Sequence, residues 1–353
     1  MESRDLTAAI AERLREASAQ RAPLRLAGGD TKRFYGRAVH GGTLDLTGHS
    51  GVVNYDPAEL VLTARCGTRL ADIERLLADH GQRLAFDPPR HGPGATIGGA
   101  IAAGLAGPSR MRHGALRDHV QGVRLMTGDG RALKFGGEVL KNVAGYDVSR
   151  LMAGSLGILG VLLELSLRVL PRPAAELSLT FESDAADGQE RLAGWSAKSL
   201  PMTASTWVDG RLCVRFEGTE ATLVAVHRQV GGEPLVDAAA FWSSVRDQTH
   251  PFFAAAARLW RVQLPADGRL PLDEDAALYE WMGAQRWYRD PDRTDFRALA
   301  TAAGGSATIF RGAAADEEVF GPLEPAVLAL HKSLKMIFDP AGIVNPGRMY
   351  ASL

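Results

Sequence analysis

Phe86-Asp87-Pro88-Pro89-Arg90-His91-Gly92-Pro93-Gly94-Ala95-Thr96-Ile97-Gly98-Gly99 leads directly into Ala100-Ile101-Ala102-Ala103-Gly104-Leu105-Ala106-Gly107. So many small residues leave little side-chain surface, and the stretch from 86 to 114 reads as a long, structureless functional loop. Gly98-Gly99 lets a ligand approach the backbone, since no Cβ stands in the way. An earlier pair, Gly28-Gly29, follows a short strand at Leu24 to Ala27 and opens into Asp30-Thr31. Backbone N–H groups that converge on one spot neutralise a diphosphate without long side chains, and both pairs offer this. Taken alone, either pair is most simply a tight turn. Ile97 stands where G-x-G-x-x-G, begun by Gly92 and Gly94, needs its third glycine, and no G-x-x-x-x-G-K-[ST] occurs, so neither a Rossmann nor a P-loop reading survives.

Outward from these loops, Leu6, Ile10, Leu14 and Ala17 recur at helical spacing, so residues 5–20 predict a surface helix that Pro23 ends. Thr43 to Leu46, Val52 to Tyr55 and Leu60 to Ala64 read as strands. Thr68 is placed to cap a helix from Leu70 to Ala78, with Leu70, Ile73, Leu76 and Leu77 along one side. Val120 to Thr127 and Arg131 to Phe135 flank Gly128-Asp129-Gly130, a hairpin signal. A short helix at Tyr146 to Met152 and a strand at Leu159 to Leu170 follow. Pro171 and Pro173 mark a boundary beyond which all six tryptophans lie, and residues 174–325 read as a smaller mixed α+β domain. A last helix, Pro325 to Phe338, runs into Gly342-Ile343-Val344-Asn345-Pro346-Gly347-Arg348.

A chain of 353 residues, 46% hydrophobic and 23% charged, is ordinary for a globular protein of two domains. Its 40 basic and 41 acidic residues give a net charge of -1, which supplies no field favouring nucleic acid or an anionic membrane. Cys66 and Cys213 belong to no C-x-x-C pair, which argues against an iron–sulfur or zinc site and against a disulfide framework. Glu2, Arg4 and Asp5 do not resemble the basic start of a secretory signal, so a cytoplasmic location is expected. The most apolar stretch, Leu151 to Leu163, is shorter than the roughly 18 residues of a membrane span, so membrane association is expected only peripherally, through a complex.

The glycine series as a whole, in order, resembles the FAD domain of the p-cresol methylhydroxylase/vanillyl-alcohol oxidase superfamily. Leu26-Ala27-Gly28-Gly29-Asp30-Thr31 resembles its first pyrophosphate loop, and Ala95 to Ala102 with Ala106-Gly107 its second. Arg112-His113-Gly114 stands where the family has a basic-aromatic-glycine turn. Gly154-Ser155-Leu156-Gly157-Ile158-Leu159-Gly160-Val161 looks like its glycine-serine lead-in, and Ile343-Val344-Asn345-Pro346-Gly347 like its C-terminal signature, whose asparagine approaches the flavin ring. The match covers residues 24–171 and 325–350. It implies an α+β fold with a two-subdomain FAD domain over residues 1–171, a smaller cap domain over 172–325, and a segment 326–353 that completes the FAD domain. It further implies FAD contacts from Ala27, Gly28, Gly29, Asp30, Thr31, Pro88, Gly94, Ala95, Thr96, Gly98, Gly99, Ala102, Gly107, Arg112, His113, Gly114, Val161 and Asn345. Some members attach FAD through a histidine in the first loop; Gly28 to Arg33 contains neither His nor Cys, so non-covalent binding is expected.

Lys141-Asn142-Val143-Ala144-Gly145-Tyr146-Asp147-Val148-Ser149-Arg150-Leu151 is similar to a stretch typical of the E subunits of bacterial glycolate oxidases. The resemblance implies a complex with a D subunit, a larger flavoprotein that oxidises the 2-hydroxy acid, and an iron–sulfur F subunit. Oxidising glycolate requires a base for the hydroxyl proton and a cation for the carboxylate beside the flavin. Related dehydrogenases carry a Gly-Glu-His-Gly element and clustered histidines; beyond the boundary this chain has only His227, His250 and His331. Arg261, Arg286 and Arg311 are candidate carboxylate clamps, each more simply a surface residue, and Trp287-Tyr288 is either a partner contact or, more simply, core. No catalytic residue is assigned. Two other readings stay open: a self-sufficient FAD-dependent dehydrogenase of a 2-hydroxy acid such as glycolate or D-lactate, and a structural subunit without flavin.

Overall fold

The computed structural model describes residues 3–137, 147–254, 257–265, 268–272, 277–289 and 294–353. Lys141 to Tyr146, most of the subunit-like stretch, lie outside them. The chain divides into two units, one formed by residues up to Leu105 with Ala115–Pro171 and Ala314–Leu353, the other by Ala106–Gly114 and Arg172–Ala313. The second unit therefore takes a nine-residue piece from inside the glycine-rich stretch, and the first regains the chain at Ala314 rather than at residue 326.

The first unit contains three sheets among its described residues, one of them the short antiparallel pairing of Gln82–Arg83 with Leu170–Pro171. The five antiparallel strands of the largest run in the order Val52–Asp56, Val61–Arg65, Val161–Arg168, Val120–Met126, Ala132–Gly136. The central Val161–Arg168 is buried along nearly its whole length, as expected for a strand covered on both faces. Val120–Met126 and Ala132–Gly136 form the predicted hairpin around Gly128-Asp129-Gly130. The second sheet pairs Leu24–Ala27 in parallel with Gly42–Asp45. Val344 lies parallel to Leu24, held by Leu24 N–H to Ile343 O at 2.7 Å and Asn345 N–H to Leu24 O at 2.9 Å. The tail thus works as a third strand.

Helix Thr7–Gln20 buries Ile10, Ala11, Leu14 and Ala17, the face its sequence marks. Ile10 and Leu14 share one core with Leu24, Met126, Val161, Leu163 and Val344, so this cluster joins the helix, the five-stranded sheet, the parallel pair and the tail. Each such aliphatic side chain contributes about 1.5–3 kcal/mol by burial. Two local expectations fail. Thr68 does not cap the helix Leu70–Asp79, whose N-cap is Arg69. Its hydroxyl instead donates to Arg65 O at 2.6 Å and accepts from Gly51 N–H at 2.9 Å, closing the turn before the helix. The glycine-rich stretch is not structureless either, because Ile97–Ala103 is helical, capped by the Thr96 side chain and ended by Gly104 at φ 66°. Small residues pack this helix closely, so their lack of bulk does not mean lack of structure.

The second unit is an eight-stranded antiparallel sheet ordered Glu233–Pro234, Ala175–Glu182, Arg211–Gly218, Met202–Val208, Ala277–Glu280, Gln285–Arg289, Leu259–Gln263, Ser306–Arg311. Its core contains Trp195, Trp207, Trp260, Tyr279 and Tyr288. The piece Ala106–Gly114 is bound into this unit: Arg215 Nη2 donates to Ser109 Oγ at 2.6 Å, Trp281 Nε1 donates to Gly107 O at 3.1 Å, and the Arg110 guanidinium lies 4.4 Å from the Trp281 ring centre.

Back in the first unit, the C-terminal helix Pro325–Phe338 is fixed by a buried ion pair. Lys335 Nζ donates to Asp339 Oδ2 at 2.7 Å, Ile158 O at 2.8 Å and Val344 O at 2.6 Å. The Asp339 carboxylate also accepts the N–H groups of Ile343 and Val344. Burial pushes the Lys335 ammonium below the usual lysine range, while Asp339 pulls the other way. Removing one member of a buried pair leaves the other charge uncompensated. Lys335→Met is therefore expected to destabilise the chain by about 3–5 kcal/mol, read as a lowered urea midpoint; an unchanged midpoint would mean that the pair does not hold the tail.

Candidate functional site

The first glycine pair meets the second loop with no space between them. A Cβ on Gly28 would stand 2.5 Å from Thr96 Oγ1, and one on Gly29 would stand 1.6 Å from Gly94 O. Neither glycine has a positive φ, so the requirement here is the missing side chain rather than an unusual backbone. Asp30 does turn left-handed, at φ 54°, a conformation aspartate tolerates better than most residues. Gly98 approaches Cys66 in the same manner, its Cβ position 2.6 Å from the Cys66 Cβ.

Beside this contact lies an open cleft. Gly28, Gly29, Asp30, Thr31, Thr96, Gly98, Gly99, Ala102 and Asn345 line it, as do Gly157 and Gly160. The two loops differ in what they offer a ligand. In the second, Ile97 N–H donates to Thr68 O, Gly98 N–H to Cys66 O and Gly99 N–H to Thr96 Oγ1, so these donors are spent on the protein. In the first, the N–H groups of Gly28, Gly29, Asp30 and Thr31 have no partner among the described residues. Four consecutive free donors beside a cleft are the groups from which an anion cradle is made.

Positive charge surrounds that cradle. Arg25, Lys32, Arg33 and Arg348 all line the cleft, and sequence reading assigned none of them a role. Arg25 pairs with Asp30 at 2.7 Å. Arg348 reaches from the tail and donates to the carbonyls of Arg37, Lys32 and Arg33, pinning the end of the first loop. Burial lowers its pKa to about 10, with Asp30 opposing and Arg25 and Arg33 adding to the shift. The only available signal for Arg25, Lys32 and Arg33 was their nearness in sequence to Gly28-Gly29; Arg348 had none, being more than 300 residues away.

Asn345 lines the cleft, yet both ends of its amide are engaged. Its Oδ1 accepts from Leu26 N–H and its Nδ2 donates to Leu156 O, both at 2.8 Å. It ties the tail to two walls of the cleft. Val161 turns into the core with Leu14 and Val344, while its neighbours Gly160 and Leu162 face the cleft, as strand alternation requires. Ala27 falls on the off-cleft side between Leu26 and Gly28 for the same reason. Pro88, Gly94 and Ala95 support the second loop without lining the cleft. Gly107, Arg112, His113 and Gly114 belong to the second unit, where His113 Nε2 lies 3.8 Å from Glu217 Oε2.

Among the described residues, those lining the cleft include no histidine. Asp30 is paired with Arg25, and burial raises the Cys66 thiol well above its ordinary pKa. The arginines weighed as clamps serve structure in the second unit. Arg286 is fully buried and donates to Gly283 O and Gly268 O, Arg261 donates to Gln285 Oε1, and Arg311 to Phe253 O. Trp287 and Tyr288 are core, Trp287 donating to the buried Glu280 carboxylate at 2.6 Å.

A family profile described as FAD binding domain matches residues 6–136, the part of the chain that carries both loops. Glycolate oxidase subunit GlcE of Escherichia coli strain K12 is 45% identical over 350 residues, spanning 99% of each chain. Glycolate oxidase subunit GlcD of Bacillus subtilis is 31% identical over 169 residues, 47% of this chain and 36% of its own. A solved structure of alkyldihydroxyacetonephosphate synthase, at 14% identity, shares the fold with a TM-score of 0.68 over 96% of this chain and 75% of that one. With nearly half of its residues identical to GlcE along its whole length, and an FAD binding domain over its glycine loops, the chain belongs to the GlcE family of FAD-dependent oxidoreductase subunits.

Proposed function

We propose that this chain is the FAD-bearing accessory subunit of a complex that oxidises glycolate to glyoxylate, with a larger flavoprotein performing the oxidation and an iron–sulfur subunit accepting electrons. The observation that carries the cofactor assignment is the run of four free N–H groups, Gly28 to Thr31, ringed by arginine and lysine at the wall of a glycine-lined cleft. The FAD diphosphate would lie on these donors, charge-balanced by Arg25, Lys32, Arg33 and Arg348. Thr96, Gly98, Gly99 and Ala102 would form the opposing wall and Gly157, Gly160 and Asn345 its continuation. Bound FAD supplies reversible two-electron chemistry that no side chain here offers. Attachment is non-covalent in this reading, because Cys66, the nucleophilic candidate in the cleft, is kept as the neutral thiol by burial. The accessory role is supported by the described cleft lining, which holds no histidine and whose one carboxylate, Asp30, is paired with Arg25.

Gly29→Ala forces a methyl group against the Gly94 carbonyl, so flavin absorbance per chain is expected to fall at least tenfold. Full flavin content in this variant would remove the first loop from the site. Acid precipitation of the parent protein should release its flavin into the supernatant; flavin in the pellet would mean a covalent link.

Added glycolate without oxygen should leave the flavin of the isolated chain oxidised and bleach that of the assembled complex. Rapid bleaching of the isolated chain would establish a self-sufficient dehydrogenase instead, and no flavin even after incubation with FAD would leave a structural role.

Arg348→Ala removes positive charge beside the anion. FAD affinity is therefore expected to fall, measured by fluorescence titration. An unchanged affinity would contradict the cationic role of Arg348.

A further inference from the structure

His49 is 1% exposed and does not line the cleft. Its Nδ1 accepts the N–H of Leu6 at 3.0 Å, so the ring is neutral. The ring proton sits on Nε2, which faces the Leu163 carbonyl without completing a hydrogen bond. Leu6 is the N-cap of helix Thr7–Gln20, which has no side-chain cap from that residue. Acceptors at this helix start come instead from His49 and from Asp5, whose Oδ1 takes the Thr7 N–H at 2.8 Å. The main chain is fastened at the same place, where Arg4 and Ser50 exchange both N–H to O bonds, at 2.8 and 3.1 Å. This turn also frames the cleft. His49 N–H donates to Leu46 O and Gly67 N–H donates to His49 O; Leu46 lines the cleft, and Gly67 follows Cys66, which lines it too. A Cβ on Gly67 would stand 2.6 Å from His49 O, so the turn and the loop before the helix Leu70–Asp79 are packed backbone to backbone.

We propose that His49 is a proton-operated latch: neutral, it holds the segment Ser3–Leu6 and the helix start against the turn Leu46–Ser50, and protonated, it releases them and loosens FAD. The effect on FAD rests on the reading of the cleft as its site. Protonated Nδ1 would point N–H at the Leu6 N–H and set a cation at the positive end of a helix dipole. The charged groups facing the ring come from three elements: Asp5 before the helix, 3.8 Å from Nδ1, Arg65 on Val61–Arg65, and Glu164 on Val161–Arg168. These already have partners, Arg65 lying 3.4 Å from Asp5 and Arg124 3.0 Å from Glu164. An added proton on His49 thus finds no carboxylate of its own. Burial pushes the ring below the ordinary histidine range, with Asp5 opposing, Arg65 adding and Glu164 opposing. Hydrogen bonds from Thr7 hold the Asp5 carboxyl at about 2, so Asp5 keeps its charge while His49 titrates. The folded chain then binds fewer protons than the unfolded one. The stabilisation is complete above the ordinary histidine pKa and is lost as pH falls from there through the lowered folded value.

The test follows amide hydrogen exchange of the parent chain by mass spectrometry from about pH 7.5 to about pH 5, corrected for intrinsic exchange, with FAD affinity measured at each pH. The amides of Leu6 to Ile10 should lose protection on the order of tenfold while those of Val161–Arg168 keep theirs, and FAD affinity should fall in parallel. In His49→Asn, whose side-chain oxygen accepts a hydrogen bond but takes up no proton, both quantities should hold their neutral-pH values throughout. Constant protection in the parent would overturn the latch. Equal acid loss in the variant would assign the titration to another group and overturn it as well. Lost protection at constant FAD affinity would overturn the coupling to the cleft. A parent that binds no FAD at any pH would remove the cofactor reading, while its exchange would still decide the latch. The parent's exchange decides it also where His49→Asn fails to fold.

Discussion

The backbone-to-backbone contact of Gly28-Gly29 with Gly94 to Thr96 is the constraint on which the first unit depends. A side chain on either glycine of the pair would occupy space already filled by Thr96 Oγ1 or the Gly94 carbonyl. The loops touch but differ in their N–H groups: those of Ile97, Gly98 and Gly99 are bonded to the protein, and those of Gly28 to Thr31 have no partner among the described residues. The division of labour follows from hydrogen-bond accounting: donors that hold the helix Ile97–Ala103 against Thr68 and Cys66 are not available to a ligand. An anion site built this way needs little side-chain reorganisation on binding, since its donors are fixed by strand and turn geometry before the ligand arrives.

Distant pieces of chain keep that contact in register. The tail adds a strand beside Leu24, Asn345 bridges Leu26 and Leu156, Arg348 pins the loop after Thr31, and Lys335 with Asp339 locks the turn between the last helix and the tail. These are polar links inside a largely apolar unit, where a satisfied network is rigid and a broken one is costly. The core cluster of Leu14, Leu24, Val161 and Val344 adds apolar adhesion, but apolar contacts are not directional. The polar links choose among the many ways such surfaces could slide.

Much of this was legible in the chain. Amphipathic spacing located the helix Thr7–Gln20, the last helix was read at Pro325–Phe338, and Gly128-Asp129-Gly130 located the hairpin. The ordered glycine series located the cleft and most of its glycine lining. What failed did so for identifiable reasons. A stretch rich in glycine and alanine looks structureless because helix propensity penalises glycine, yet Gly98 is required where the helix crosses Cys66. Ala27 and Val161 were placed in the site by motif position, whereas strand alternation turns their side chains away. Arg348 and the inward Lys335 depend on contacts across long separations, and no local pattern encodes these.

The cleft also separates binding from chemistry. Its charges are arranged to hold an anion: three arginines and a lysine, with one carboxylate already neutralised by Arg25. Such a field stabilises a diphosphate and equally depresses the basicity of any group placed within it, since a nearby cation favours the deprotonated acid. A general base suited to removing the hydroxyl proton of a 2-hydroxy acid needs the opposite environment, one that keeps its pKa near the working pH. The feature that suits this cleft to FAD is thus what makes it a poor place for the proton transfer, which is why the proposed function places that transfer on another subunit.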